Sequence, residues 1–95
     1  MPAYMITEIT SVTDTVLMTE YHEKVAPIIE AFGGRFLARA EPCVALEGEW
    51  ARVVIIEFPS FETAEQFYQS EEYSLIKELR DRAATARIIV LGGVE

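Results

Sequence analysis

The sequence predicts an α+β protomer of order β-α-β-β-α-β, with a four-stranded antiparallel sheet and the helices on one of its faces. Three observations predict it. Residues 35–59 carry two strand-like runs separated by turn residues. Two longer stretches, after Asp14 and after Ser60, repeat apolar residues every three or four positions. An apolar run, "ARIIVLGG", closes the chain, and the total length fits a split βαβ sandwich.

The first strand is "AYMITEITS", Ala3 to Ser11, where aromatic, β-branched and polar residues nearly alternate. Asp14 is placed to cap a helix whose apolar stripe is Leu17, Tyr21, Val25, Ile28 and Phe32. Pro27 removes a backbone donor within it and is expected to kink or split the helix. Gly33 ends the helix in the left-handed conformation that glycine adopts without steric cost, and Gly34 carries the chain onward.

That pair of glycines, followed at once by Arg35, raises the question of a phosphate-binding loop. Such loops place glycines between a strand and the start of a helix. Here the order is helix, glycines, strand, so the anion-binding geometry is missing.

"RFLARAE" forms the second strand, Pro42 breaks or bulges it, and a turn near Gly48 leads into the third strand, "ARVVIIEFP". Ser60 caps a helix over "FETAEQFYQ". Ser70 caps another over "EEYSLIKELRDRAA", with Tyr73, Ile76, Leu79 and Ala83 on one face. Acidic residues early in that helix and Lys77, Arg80 and Arg82 late in it suit the helix dipole, which reads as a solvated charged face.

With 95 residues the chain fits one domain, 1–95, and is long enough to bury roughly 60 to 70% of its unfolded surface. A net charge of −8 repels phosphate backbones and anionic lipid surfaces, so neither nucleic acid nor membrane is expected as a partner. No apolar run approaches the roughly 20 residues of a membrane helix, and the start "MPAYMITEIT" lacks a signal-peptide layout. The expected location is cytoplasmic. Cys43 is the only cysteine, which agrees with a reducing compartment.

Strand alternation speaks to assembly. Along "RVVIIEF", Val53 and Ile55 point one way and Val54, Ile56 and Phe58 the other; the last strand separates Ile88 and Val90 from Ile89 and Leu91. Both sheet faces are therefore apolar, and the helices can cover one. A second copy of the chain is expected on the other, giving a homodimer.

The stretches "GGRFLAR", "LEGEW", "VVIIEFPS", and "FYQSEEYSLIKELR" with the following "AATA" occur in this order over nearly the whole chain. With them the chain resembles the domain of unknown function 1330 family of the dimeric α+β barrel superfamily. The resemblance implies a ferredoxin-like protomer, two of which pack sheet to sheet as a dimeric α+β barrel. Family members often carry tryptophan where this chain has Phe67, proline where it has Glu71, and glycines where it has Ala40 and Glu41. The resemblance implies no reaction. Superfamily relatives include cofactor-free monooxygenases, haem-degrading enzymes, lactone isomerases and dehalogenation-type enzymes, a range that shows how little the fold fixes chemistry.

Candidate chemistry is sparse. His22, the one histidine, lacks partners at ligand spacing and is expected on the exposed side of its helix; no metal is expected. Cys43, between Pro42 and Val44, reads as apolar packing. Trp50, just past the hairpin turn, reads as a dimer contact.

Arg35, Arg39 and Glu57 place charge beside apolar residues in strands, with Arg35 and Arg39 on one face in a regular strand. They form either a structural ion pair within the sheet or across a dimer, or a ligand site. If buried as a pair, Arg35 and Glu57 would each cost about 3 to 5 kcal/mol to remove alone. Tyr73 could offer its hydroxyl to a ligand.

The sequence therefore points to a homodimeric protein that binds, and in one reading converts, a small organic molecule without metal or nucleotide cofactor. Arg35 and Arg39 would hold an anionic or carbonyl group, Glu57 would orient Arg35 or act as a base, and Tyr73 would donate a hydrogen bond. The alternative is a non-catalytic dimeric module; a further one, by superfamily analogy, is a cofactor-free or haem-degrading monooxygenase.

Overall fold

The computed structural model describes residues 1–94. Strand β1 (Ala3–Val12) is followed by helix α1 (Thr15–Ala31), the hairpin strands β2 (Arg35–Arg39) and β3 (Arg52–Phe58), helices α2 (Phe61–Gln69) and α3 (Glu71–Ala83), and strand β4 (Ala84–Gly92). The sheet order is β2-β3-β1-β4, with every neighbouring pair antiparallel. This is the ferredoxin-like arrangement, with the helices on one face.

Local chemistry sets the helix ends. The Leu17 amide donates to Asp14 Oδ1 at 3.0 Å, and Ser60 and Ser70 oxygens accept from the amides of Thr63 and Tyr73. Helix α1 closes as its two glycines require. Gly33, at φ +76°, donates to Glu30 O and Gly34 donates to Ile29 O, so both amides serve the helix terminus and neither is free for an anion. Gly34 also lies so close to the core that a Cβ there would meet Phe58 Cε1 at 2.7 Å.

Two expectations about α1 are corrected. The helix is continuous from Thr15 to Ala31 with Pro27 inside it, rather than split. Its buried stripe is Met18, Tyr21, Val25 and Ile29, while Leu17, Ile28 and Phe32 are only partly buried at its margins. Tyr21 and Val25 are common to both stripes, while Met18 and Ile29 replace their neighbours Leu17 and Ile28 at the buried centre.

The core lies between the helices and one sheet face. Ala3, Met5, Ile9, Ile56 and Phe58 face it from the central strands, and Phe67, Tyr73 and Ile76 from α2 and α3. Phe67 is the aromatic hub, with ring centroids 5.9 Å from Phe32, 5.2 Å from Phe58 and 4.7 Å from Tyr73.

The opposite sheet face carries no helix. Cross-strand pairing aligns Ile55, Ile6 and Ile89 in one row across β3, β1 and β4. Ile89 is 55% exposed and Leu91 47%. The alternation read from the sequence is the one the strands adopt.

A bulge in β2 changes one placement. Arg35 pairs with Glu57 and Phe36 with Ile56, but the register shifts at Leu37, after which Ala38 pairs with Ile55 and Arg39 with Val54. Arg35 therefore lies on the open face and Arg39 on the helix face, whereas regular alternation had put them together. One inserted residue reverses the facing of everything beyond it.

Residues 40–51 join β2 to β3 without strand structure, and most of their side chains are exposed. Cys43 is among the exposed ones, not packed as its apolar neighbours had suggested. The end of this loop is tied down by Glu8, whose Oε2 accepts from the Ala51 amide at 3.2 Å and whose Oε1 accepts from Arg87 Nε at 2.6 Å. The Ala51 amide, then Arg87, hold the Glu8 carboxyl below its ordinary range.

Candidate functional site

Helix α3 buries Tyr73, Ile76, Arg80 and Ala83, a 3-4-3 spacing that places an arginine on the apolar stripe. Arg80 is 7% exposed. Its Nη2 donates to Asp81 Oδ1 at 3.1 Å, while Nη1 is fully buried and has no hydrogen-bond partner among the described residues. This corrects the reading of Lys77, Arg80 and Arg82 as one solvated face. Burial disfavours the Arg80 charge, but Tyr73, Tyr21 and Asp81 outweigh it, so the guanidinium titrates above its ordinary range.

Beside Arg80 lies a pair of tyrosines. Tyr21, from α1, and Tyr73, from α3, share a hydrogen bond between hydroxyls 2.9 Å apart. Burial is the main cause that pushes both phenols up, and both are neutral at physiological pH. Tyr73 is thus inside the core, with its hydroxyl already partnered.

Two spaces adjoin these groups. A small void of about 40 Å³ is bounded by Tyr21, Phe67, Tyr73 and Arg80 and extends to His22 and Phe36. A half-open cleft of about 330 Å³ lies under α2 and α3 against β1 and β4; its lining includes Met5, Glu65, Tyr68, Gln69, Arg80 and Ile88. Arg80 borders both. A mainly apolar chamber with one orphaned cationic donor and a few polar side chains has the make-up of a site for a small polar-headed molecule.

The four residues singled out from the sequence do not converge. Arg35 and Glu57 pair on the open face, Nε to Oε1 at 2.9 Å, with side chains 71% and 23% exposed. Arg39 lies on the helix side with its guanidinium carbon 4.0 Å from the centre of the Phe36 ring. Tyr73 is in the core. Arg80 and Tyr21, which the sequence reading left out as ligand candidates, are the groups that accompany Tyr73.

The exposure of Arg35 decides how the ion pair should behave in the isolated protomer. A double-mutant cycle of Arg35→Met and Glu57→Gln, followed by denaturant unfolding, is expected to give a coupling of about 1 kcal/mol or less. Coupling near 3 kcal/mol in a monomeric sample would contradict this exposed placement.

Among the described residues no three His, Cys, Asp or Glu side chains come together as a metal-holding group, and no helix is long and apolar enough to cross a membrane. Trp50 is largely exposed and borders a second cleft of about 290 Å³ on the open face, beside Ile6, Glu8, Val53 and Arg87.

The sheet, the helices on one side of it and the chamber between the layers define an α+β protein of ferredoxin-like architecture. The chain belongs to the family described as domain of unknown function 1330 (DUF1330), whose model matches residues 2–94. No curated protein matches it. Among solved structures it is similar to a protein of unknown function from Rhodopseudomonas palustris, at 20% identity and TM-score 0.76, over 99% of this chain and 83% of that one. A dimeric protein of unknown function with a ferredoxin-like fold from Bacteroides fragilis aligns at 9% identity and TM-score 0.64, over 97% and 96% of the two chains. SnoaB, a cofactor-independent oxygenase from Streptomyces nogalater, aligns at 6% identity and TM-score 0.67, over 99% and 94%. Likeness at such identities is a likeness of fold.

Proposed function

We propose that this protein binds a small organic molecule through a carboxylate or carbonyl group in the cleft under α2 and α3, and does so as a homodimer. The observation that carries the binding role is Arg80, a residue that borders both the void and the cleft and whose Nη1 is buried without a partner among the described residues. A buried donor left without an acceptor costs roughly 1 to 3 kcal/mol, more when charged, and a ligand oxygen there relieves that cost. Tyr73 and Tyr21 hold the inner wall, and Tyr68 and Gln69 stand at the rim.

The homodimer draws support from the apolar row Ile55, Ile6 and Ile89 on the open face and from the dimeric relative in Bacteroides fragilis. Arg35 and Glu57 then belong to the margin of that interface rather than to the binding site. Turnover without a cofactor, as in the oxygenase from Streptomyces nogalater, is a second reading, favoured by the largely apolar lining around the paired tyrosine hydroxyls.

Arg80→Met tests the binding role, because methionine keeps much of the length and removes the charge. Native mass spectrometry of gently purified protein is expected to find a bound small molecule on the unaltered chain and none on the variant. Measured against unaltered protein stripped of its ligand, the variant's melting temperature should be little changed, since methionine fills much of the same volume. A variant that keeps the molecule would contradict the role of Arg80, and an unaltered chain that carries none would speak for the non-catalytic module.

A further inference from the structure

Apart from that cleft, but between the same helix and sheet layers, α1 meets the β2–β3 hairpin over a further hollow of about 240 Å³, which shares His22, Phe36 and Val54 with the small void. Its wall carries Arg39 and Arg52 from the hairpin and His22 from α1, over a floor that includes Phe36 and Val54. The bulge in β2 is what brings the two arginines together. It turns Arg39 to the helix face opposite Val54, and Arg52 lies two residues along β3 from Val54, on the same face. The two guanidiniums thus spring from diagonal cross-strand positions, whose spacing of roughly 7 to 8 Å lets long side chains meet.

Four of the eight basic residues, Arg39, Arg52, Lys77 and Arg82, have no carboxylate partner among the described residues, and of these Arg39 and Arg52 line one hollow together. Arg35, Arg80 and Arg87 each pair with a carboxylate, and Lys24 pairs with Glu20. Neither Arg39 nor Arg52 has a carboxylate within 4.0 Å among the described residues, although the chain carries 16 acidic residues against 8 basic. Arg39 rests on the Phe36 ring, but neither guanidinium has a carboxylate to neutralise it, so both are open to an anion. Burial, then Arg52 and Arg39, lower the His22 pKa, which leaves the imidazole neutral and able to accept or donate one hydrogen bond.

We propose that Arg39, Arg52 and His22 form a second binding site, distinct from the Arg80 cleft, for a small organic carboxylate with an apolar body. The carboxylate bridges the two guanidiniums, and the apolar body lies on Phe36 and Val54. The Arg39 guanidinium is already seated on the Phe36 ring, which fixes its plane and leaves its N–H edge to face the anion. The volume suits a single ring or a short acyl chain. It is below the 300 to 1,000 Å³ of drug-sized pockets. A carboxylate fits better than a phosphate because the floor is apolar right up to the cationic rim, and no backbone amides of a helix start converge there.

The test is an amide-resolved NMR titration with phenylacetate beside its neutral counterpart 2-phenylethanol. Phenylacetate should move the signals of His22, Phe36, Arg39 and Arg52, raise the His22 pKa by supplying a nearby anion, and bind at least tenfold more tightly than the alcohol. Arg39→Gln with Arg52→Gln should abolish that preference; both side chains are exposed, and unchanged amide shifts in the core would confirm that the variant is folded. Arg80→Met should leave the preference intact, which separates this site from the cleft under α2 and α3. Equal binding of acid and alcohol, a preference that survives the double substitution, or shifts confined to residues around Arg80 would overturn the proposal. So would inorganic phosphate displacing phenylacetate at equal concentration.

Discussion

Replacing Phe67 with alanine is expected to destabilise the protein by about 3 to 5 kcal/mol, the upper end of what truncating one core side chain costs. Phe67 is 2% exposed and touches the rings of Phe32 just after α1, Phe58 in β3 and Tyr73 in α3, so its removal leaves a hole that no single neighbour can close. For a chain of this length that loss lowers the melting temperature by on the order of 15 to 25 °C. Denaturant unfolding with an unchanged slope would confirm that native packing, rather than the unfolded state, has changed. The cavity bordering Phe67 would enlarge as well, so a ligand bound beside Tyr73 and Arg80 should loosen in the same variant.

Ile6→Glu is expected to dissociate the proposed homodimer while sparing the protomer. Ile6 stands at the middle of the open face, flanked by Ile55 and Ile89, and is remote from the helix-side core. In the free protomer water solvates the new carboxylate at small cost. In a sheet-to-sheet dimer the same group is buried twice without a cation, a penalty of several kcal/mol that weakens association by roughly two orders of magnitude or more. Sedimentation at low micromolar concentration should report the dimer for the unaltered chain and a folded monomer for the variant. A monomeric unaltered chain would contradict the assembly.

Much of the fold was legible because local signals agreed with one another. Asp14, Ser60 and Ser70 cap the helices they precede, Gly33 ends α1, and strand alternation separated Ile89 from Ile88 correctly. Three features were obscured for physical reasons. The β2 bulge depends on pairing with β3, which no local pattern in "RFLAR" reveals, and it alone moved Arg39 away from Arg35. Strand β4 starts at Ala84, directly after α3, where alanine reads as a continuation of the helix. Arg80 is the instructive case. Its spacing from Tyr73, Ile76 and Ala83 put it on the buried stripe, but a cation in the last turn also satisfies the helix dipole, and that reading hid the packing signal.

The binding role of Arg80 can be tested at the atom that motivates it. A crystal structure of protein purified under mild conditions should show extended non-protein density in the cleft under α2 and α3. One oxygen should lie about 2.7 to 3.1 Å from Arg80 Nη1. A lone ordered water on Nη1 with no further density in the cleft would contradict the account, because the buried guanidinium would then be satisfied by solvent alone.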